Sequence, residues 1–279
     1  MAMTGTDREP EGVDTTLPSA ARVYDWYLGG EHHWAADREF GAKAVEIWPA
    51  VPVVARHNRR WLGRVVRNAL DAGIRQFLDL GSGLPTAGNI HDVVEQHAPG
   101  TDARVVYTDF EPVALAHSRE ILAERGVDDR CGVASADIRR PREVLTHPEV
   151  KRLLDLSEPV CVLMVAVLHF VGEEAWQVLS EYHDQFAEGS WLALSHISDE
   201  LAGPDEKQAV ERFRASYDGT TSPLCVRNRA EIESWFPDGS LLPPGIVPIP
   251  DWRPDSPRTA EDDTARRFAW CGVGEIREE

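Results

Sequence analysis

Phe77-Leu78-Asp79-Leu80-Gly81-Ser82-Gly83 is the stretch of this 279-residue chain whose reading decides the fold. Apolar residues suited to a buried strand lead into an acid and then two closely spaced glycines. Glycine has no Cβ, so the backbone can turn sharply there and lie against a ligand. The stretch therefore reads as a strand-to-helix turn that carries a nucleotide-like cofactor, or as the same turn with no ligand. A dinucleotide fingerprint needs a third small residue three positions after the second glycine, to bring a helix close to a pyrophosphate. Thr86 stands there, preceded by Pro85, which argues against a nicotinamide oxidoreductase. Asp79, two residues before Gly81, suits instead a cofactor with a cationic amino-acid end and no phosphates.

The next two segments repeat the pattern. Val105-Val106-Tyr107 runs into Thr108-Asp109, an acid at a strand tip where it could accept from both ribose hydroxyls. Asp109 lies 28 residues after Gly81, against roughly 20 in a compact unit, and the long stretches 84–89 and 98–103 account for the excess. Glu111 competes for the same role but lies farther from the strand. Val133-Ala134-Ser135-Ala136 ends in Asp137, placed to accept from an adenine amino group with Ile138 against the ring. Three strand-terminal acids in order read as an S-adenosylmethionine site.

Several segments resemble a bacterial S-adenosyl methyltransferase family long catalogued as a domain of unknown function. They are Leu78-Asp79-Leu80-Gly81-Ser82-Gly83-Leu84-Pro85-Thr86, Arg22-Val23-Tyr24-Asp25-Trp26-Tyr27-Leu28-Gly29-Gly30, Ala35-Ala36-Asp37-Arg38-Glu39 and Ala55-Arg56-His57-Asn58-Arg59. The likeness runs from about residue 17 to 274; Trp26 and Tyr27 depart from the family's usual Tyr-Leu-Leu-Gly-Gly pattern but keep Asp25 and both glycines. The resemblance implies a Rossmann-like class I methyltransferase whose N-terminal helices close over the cofactor, with Tyr24, Tyr27 and Gly30 in that lid. It implies little about the acceptor.

The rest of the chain supports an α/β fold. Strand patterns fall at 76–80, 104–108, 132–136, 160–168 and 191–197, alternating with helical patterns at 89–97, 112–125, 141–145 and 173–186. Such alternation predicts a mostly parallel sheet, seven-stranded once strands near 246–249 and 268–273 are added as an antiparallel edge, with helices on both faces. The expected division is a disordered tail over 1–16, a helical lid over 17–73 and a SAM-binding core over 74–279. The proline- and acid-rich stretch 250–263 reads as a surface loop.

Ligands bind beyond the carboxyl ends of strands in such sheets, so Ala166 and His169 at the end of the fourth strand should face the sulfonium, with His196 near the end of the fifth. Each histidine reads as a base or orienting group, or as a hydrogen-bonded structural residue. His32 and His33 follow the Gly29-Gly30 turn without metal-ligand spacing, and the four cysteines form no Cys-x-x-Cys pair, so no metal is expected.

A net charge of −18 disfavours a nucleic-acid substrate, and no apolar run approaches the ~20 residues of a membrane span. The chain reads as a cytoplasmic enzyme. Arg56, Arg60, Arg64 and Arg67 share one helical stripe, either a solvated face neutralised by nearby acids or a dock for an anionic partner. The sequence thus points to SAM-dependent methylation of a small molecule at O or N. The alternatives are a non-catalytic SAM-binding sensor or scaffold, and a methyltransferase fold recruited to another reaction. The oligomeric state is unread.

Overall fold

The computed structural model describes residues 14–84, 88–218 and 223–277. Most of the expected tail, and the Pro85–Thr86 portion of the glycine loop, lie outside them. Three helices, α1 (Ala20–Tyr27), α2 (Ala35–Ile47) and α3 (Val51–Asp71), precede β1 (Gln76–Leu80). There follow α4 (Ile90–His97), β2 (Arg104–Asp109), α5 (Pro112–Arg125), β3 (Cys131–Ser135), α6 (Pro141–Leu145) and α7 (Pro148–Leu153). Next come β4 (Val160–Val165), α8 (Ala175–His183), β5 (Trp191–Ile197), α9 (Pro204–Ala215) and α10 (Arg229–Glu233). The chain closes with β6 (Val247–Pro248), α11 (Ala260–Ala265) and β7 (Ala269–Glu275).

One seven-stranded sheet results, in the order β3-β2-β1-β4-β5-β7-β6. Strands β1 to β5 are parallel, and β7 runs antiparallel between β5 and β6. The chain winds outward from β1 to β3 and then returns to β4 on the other side, so a crevice opens between the tips of β1 and β4. Register keeps those tips level: Asp79 pairs with Tyr107 on one side and Leu163 on the other.

Because successive strand residues point to opposite faces, each strand feeds two cores. Phe77, Tyr107 and Leu163 pack with Trp61, Leu62, Val65 and Val66 of α3. Leu78, Val106 and Val162 pack with Val178, Leu179 and Tyr182 of α8. Helix α3 is thus part of the layer covering the sheet, while α1 and α2 lie over its carboxyl edge.

Three expectations need correction. Arg64 is not on a solvated stripe: it is 5% exposed, and it donates to the carbonyls of Trp252 (2.9 Å) and Ile249 (2.7 Å). The stretch 250–263 is more than a surface loop, since it buries Trp252 completely and holds α11. It is strapped to α3 by Arg56–Glu261 (2.8 Å), His57–Asp262 (2.9 Å) and Arg67–Asp255. Sequence periodicity registers charge along a helix face, but not the distant backbone carbonyls that can satisfy it. Strand β4 also stops at Val165, because Ala166 adopts a left-handed conformation (φ +55°) and a 3-10 turn, Leu168–Phe170, follows.

Candidate active site

A cavity of about 450 Å³ opens at the carboxyl tips of β1, β2, β4 and β5, beneath α1 and α2. That size falls in the ~300–1,000 Å³ range of small-molecule sites. The glycine turn forms one wall. Gly81 (φ +72°) and Gly83 (φ +61°) hold backbone conformations that favour glycine, and a Cβ on Gly81 would come within 2.3 Å of Val167. The Gly81 and Ser82 N–H groups both donate to the Thr108 carbonyl, at 2.8 and 3.0 Å, which locks the turn onto β2.

Asp109 organises this wall. Its carboxylate accepts from the N–H groups of Gly83 (2.8 Å), Phe110 (2.8 Å) and Glu111 (2.9 Å). Burial pushes its pKa up, against the lowering effect of those three hydrogen bonds. A carboxylate offers about four acceptor sites, so room remains for a ligand hydroxyl. Glu111, the competing acid, is committed elsewhere: it caps α5 through the Ala114 N–H (2.7 Å) and pairs with Arg22 (3.0 Å).

Asp137 and Ile138 also line the cavity. Asp137 is gripped by the Arg139 side chain at 2.7–3.0 Å and by the Arg139 N–H at 2.9 Å. Partial burial raises its pKa, but the Arg139 hydrogen bonds outweigh this and the net shift is downward. The Ile138 carbonyl accepts from Tyr182 (3.1 Å), which leaves the Ile138 side chain to the cavity.

Asp79 differs from the other two acids. It is 3% exposed at the tip of β1, lines the cavity and accepts no hydrogen bond among the described residues. Burial drives its pKa up to about 7, against the pull of the Arg59 guanidinium, and Asp109 adds to the rise. Arg59, on α3, lines the same end of the cavity and stacks 5.9 Å from the Tyr24 ring.

The left-handed turn at Ala166 is held from behind. Its N–H donates to Ser195 (3.0 Å), whose hydroxyl donates to the Asn58 side chain (2.6 Å). A non-glycine residue in this region costs roughly 1–3 kcal/mol, which the surrounding contacts offset.

Tyr24 and Tyr27 close the cavity from α1. The Tyr24 hydroxyl donates to the Ala55 carbonyl (3.1 Å), and burial pushes its pKa up to about 12. Gly30 is a correction, because it does not line the cavity. A Cβ there would sit 2.0 Å from Asp25, whose carboxylate accepts from the His32 N–H (2.9 Å), so Gly30 shapes the end of α1 instead.

The two histidines part company. His196 is 1% exposed, and its Nε2 lies 3.0 Å from Arg227, which can only donate. Nδ1 therefore carries the proton and donates to the Ile197 carbonyl (2.7 Å). With its lone pair taken, His196 is a structural group and not a base. His169 also lines the cavity, and its buried Nδ1 has no hydrogen-bond partner among the described residues. Burial, aided by Arg227, lowers its pKa to about 3, so it is neutral.

Sequence reading overlooked Arg59, Phe213 and Tyr217 as cavity residues. A signal existed for the last two. Gly203-Pro204 with Glu206 marks a helix start, and Glu206 accepts from the Gly203 N–H (2.9 Å) to cap α9. Nothing in the sequence aims Arg59 inward, since its neighbours Arg56 and Arg60 point elsewhere.

The sheet order, the antiparallel seventh strand and a cavity at the β1/β4 switch point define a class I methyltransferase fold. A profile of the S-adenosyl methyltransferase family matches residues 6–277, and the chain belongs to that family. A candidate methyltransferase from Thermobifida fusca is 36% identical, with 96% of this chain and 98% of that one covered at a TM-score of 0.86. A DUF574-family protein from Streptomyces avermitilis is also 36% identical, covering 95% and 99% at a TM-score of 0.85. An O-methyltransferase family protein from Burkholderia thailandensis shares the fold alone, at 14% identity over 82% and 59% of the two chains and a TM-score of 0.51. No curated protein matches the chain. The protein is a SAM-dependent methyltransferase with S-adenosylmethionine as its cofactor.

Proposed function

We propose that this enzyme methylates a small-molecule acceptor at oxygen or nitrogen, and that it holds S-adenosylmethionine in the polar half of the cavity. The observation that carries this reading is Asp79, a buried carboxylate without a hydrogen-bond donor among the described residues, on the same wall as Arg59. An orphaned acid and a cation match the ammonium and carboxylate of a methionine end. A pyrophosphate would meet Asp79 with repulsion.

The remaining assignments follow along the wall. Asp109 offers its spare acceptor site to the ribose. Ile138 and the 55%-exposed Phe110 flank the adenine, whose amino group competes with Arg139 for Asp137. Gly81, Ser82 and Gly83 let the backbone approach, and the fixed turn at Ala166 bounds the reacting end. Tyr24 and Tyr27 exclude water from above. Bound S-adenosylmethionine supplies a methyl group already activated as an electrophile, so the chain's task is to position a nucleophile and keep it dry.

No helix among the described residues is long and apolar enough to cross a membrane. With a net charge of −18, a diffusing cytoplasmic metabolite is a better acceptor than a polyanionic nucleic acid. The test is a calorimetric titration with S-adenosylhomocysteine, then incubation with S-adenosylmethionine and a dialysed or undialysed cell extract. Formation of S-adenosylhomocysteine only with the undialysed, small-molecule-containing extract is expected. Release that survives dialysis and disappears on nuclease or protease treatment would overturn the acceptor class.

A further inference from the structure

The charges lining the cavity are segregated. Arg22, Arg59, Asp79, Asp109, Glu111, Asp137 and Arg139 lie toward the tips of β1, β2 and β3 or on the α-helices above them, and Asp14, before α1, lies within electrostatic reach of Arg22. Beyond the tips of β4 and β5 the lining changes to Tyr27, Phe40, Trp48, Phe170, Phe213 and Tyr217. Five of these rings, all but Tyr27, form one connected group. Trp48 meets Phe213 at 5.0 Å, and Phe213 meets Tyr217 at 5.3 Å. Tyr217 in turn meets Phe40 at 5.3 Å and Phe170 at 5.8 Å, and Phe170 meets His169 at 4.5 Å. Four of these five contacts are edge-to-face, an arrangement aromatic pairs favour, and all six rings also line the cavity.

We infer that this aromatic compartment is the acceptor subsite, and that it takes an uncharged aromatic molecule whose hydroxyl hydrogen-bonds to His169. The inference rests on the cofactor placement proposed above, because the polar half must be left to the cofactor. The physical ground is desolvation. A carboxylate or ammonium entering this compartment would lose its hydration and find no charged partner among the described lining residues. An uncharged ring would lose little water and gain ring contacts. His169 then supplies the polar point, since its imidazole is neutral and its buried Nδ1 is unpartnered among the described residues. His196 cannot serve, because Arg227 occupies its lone pair.

Three probes test the subsite by calorimetry without turnover: 2-naphthol, 2-naphthoate and 2-methylnaphthalene, each titrated into the full chain with and without S-adenosylhomocysteine. The naphthol should bind at least about tenfold more tightly than the naphthoate, in line with the cost of burying an unpaired charge. It should also bind about three- to tenfold more tightly than the methyl isostere, the worth of one neutral hydrogen bond. In His169→Phe that second ratio should fall to about one. Val54→Trp, which fills the compartment from α3, should remove naphthol binding while S-adenosylhomocysteine affinity persists. Equal binding of naphthol and naphthoate, no naphthol binding, or an unchanged isostere ratio in His169→Phe would each overturn the inference. Loss of S-adenosylhomocysteine binding by the wild-type chain would instead overturn the cofactor placement, so the two failures are distinct.

Discussion

Arg59 lies near enough to Asp79 to favour its ionised form, yet the two make no direct ion pair among the described residues. Two opposite charges held apart in a buried wall would ordinarily be a cost. They make sense if a zwitterion bridges them, its ammonium on Asp79 and its carboxylate on Arg59. The first two predictions test that relationship.

Asp79 should leave a pH signature in the ligand-free protein. Its folded pKa is raised to about 7 from an ordinary 3.8. Between those values the folded chain holds the proton while the unfolded chain releases it, so stability falls as pH rises through that window. Asp79→Asn removes this slope. Urea unfolding of both proteins at pH 5 and pH 7.5 reads it: the wild type should lose more stability than the variant over that interval. Parallel losses in the two proteins would dismiss the raised pKa.

Arg59→Met should weaken S-adenosylhomocysteine binding about tenfold or more, the scale of a charge-assisted hydrogen bond. It should also raise the Asp79 pKa further, because the guanidinium is what opposes the effect of burial. At pH 7 the variant therefore suffers twice, having lost its cation and kept Asp79 protonated. At pH 8.5 only the first loss remains. Calorimetry at both pH values should show the smaller defect at the higher one, and a defect independent of pH would uncouple the two residues.

Much of this site was legible in the sequence because it follows from strand ends. A run of β-branched or aromatic residues ending in an acid fixes both the element and the position of the acid at its tip. Gln76–Leu80, Pro112–Arg125 and Trp191–Ile197 accordingly have the bounds their patterns indicate. Harder to read was whatever depends on contacts between distant segments. Arg64 looks like any surface arginine until the Trp252 and Ile249 carbonyls come to meet it. Family resemblance put Gly30 over the cofactor, but the constraint on it comes from Asp25. The stop at Val165 was hidden too, since Val-Ala-Val-Leu continues the apolar run and only the φ of Ala166 breaks it.

Asp109→Ala should show two separable losses. Removing an acceptor shared by the Gly83, Phe110 and Glu111 N–H groups should destabilise the fold by about 1–3 kcal/mol. Loss of the ribose contact should weaken S-adenosylhomocysteine binding tenfold or more. Asp109→Asn keeps one carbonyl oxygen for the backbone and so should recover part of the stability. Denaturation midpoints and calorimetry on both variants check this. Lost stability with unchanged affinity would make Asp109 a scaffold residue only.

Helix α1 is tied to α2 and to the turn after β2 by Arg22, and that tie should be expensive to cut. Arg22 is 2% exposed on α1; it pairs with Asp37 of α2 (2.8 Å, itself 0% exposed) and with Glu111 (3.0 Å) beside the Asp109 turn. It also donates to the Leu17 carbonyl at 2.6 Å, and the Trp34 ring lies 5.0 Å from the guanidinium. Arg22→Met removes the one cation shared by two carboxylates, and breaking a buried pair from one side typically costs about 3–5 kcal/mol. The penalty comes largely from Asp37, which would stay buried with a charge and, among the described residues, the Ser19 and Trp34 N–H groups alone to stabilise it. Arg22→Met combined with Asp37→Asn should therefore be more stable than Arg22→Met alone. Chemical denaturation of the two single variants and the double variant measures the coupling. If the double variant is no better than Arg22→Met, the charge on Asp37 is not what the arginine restrains.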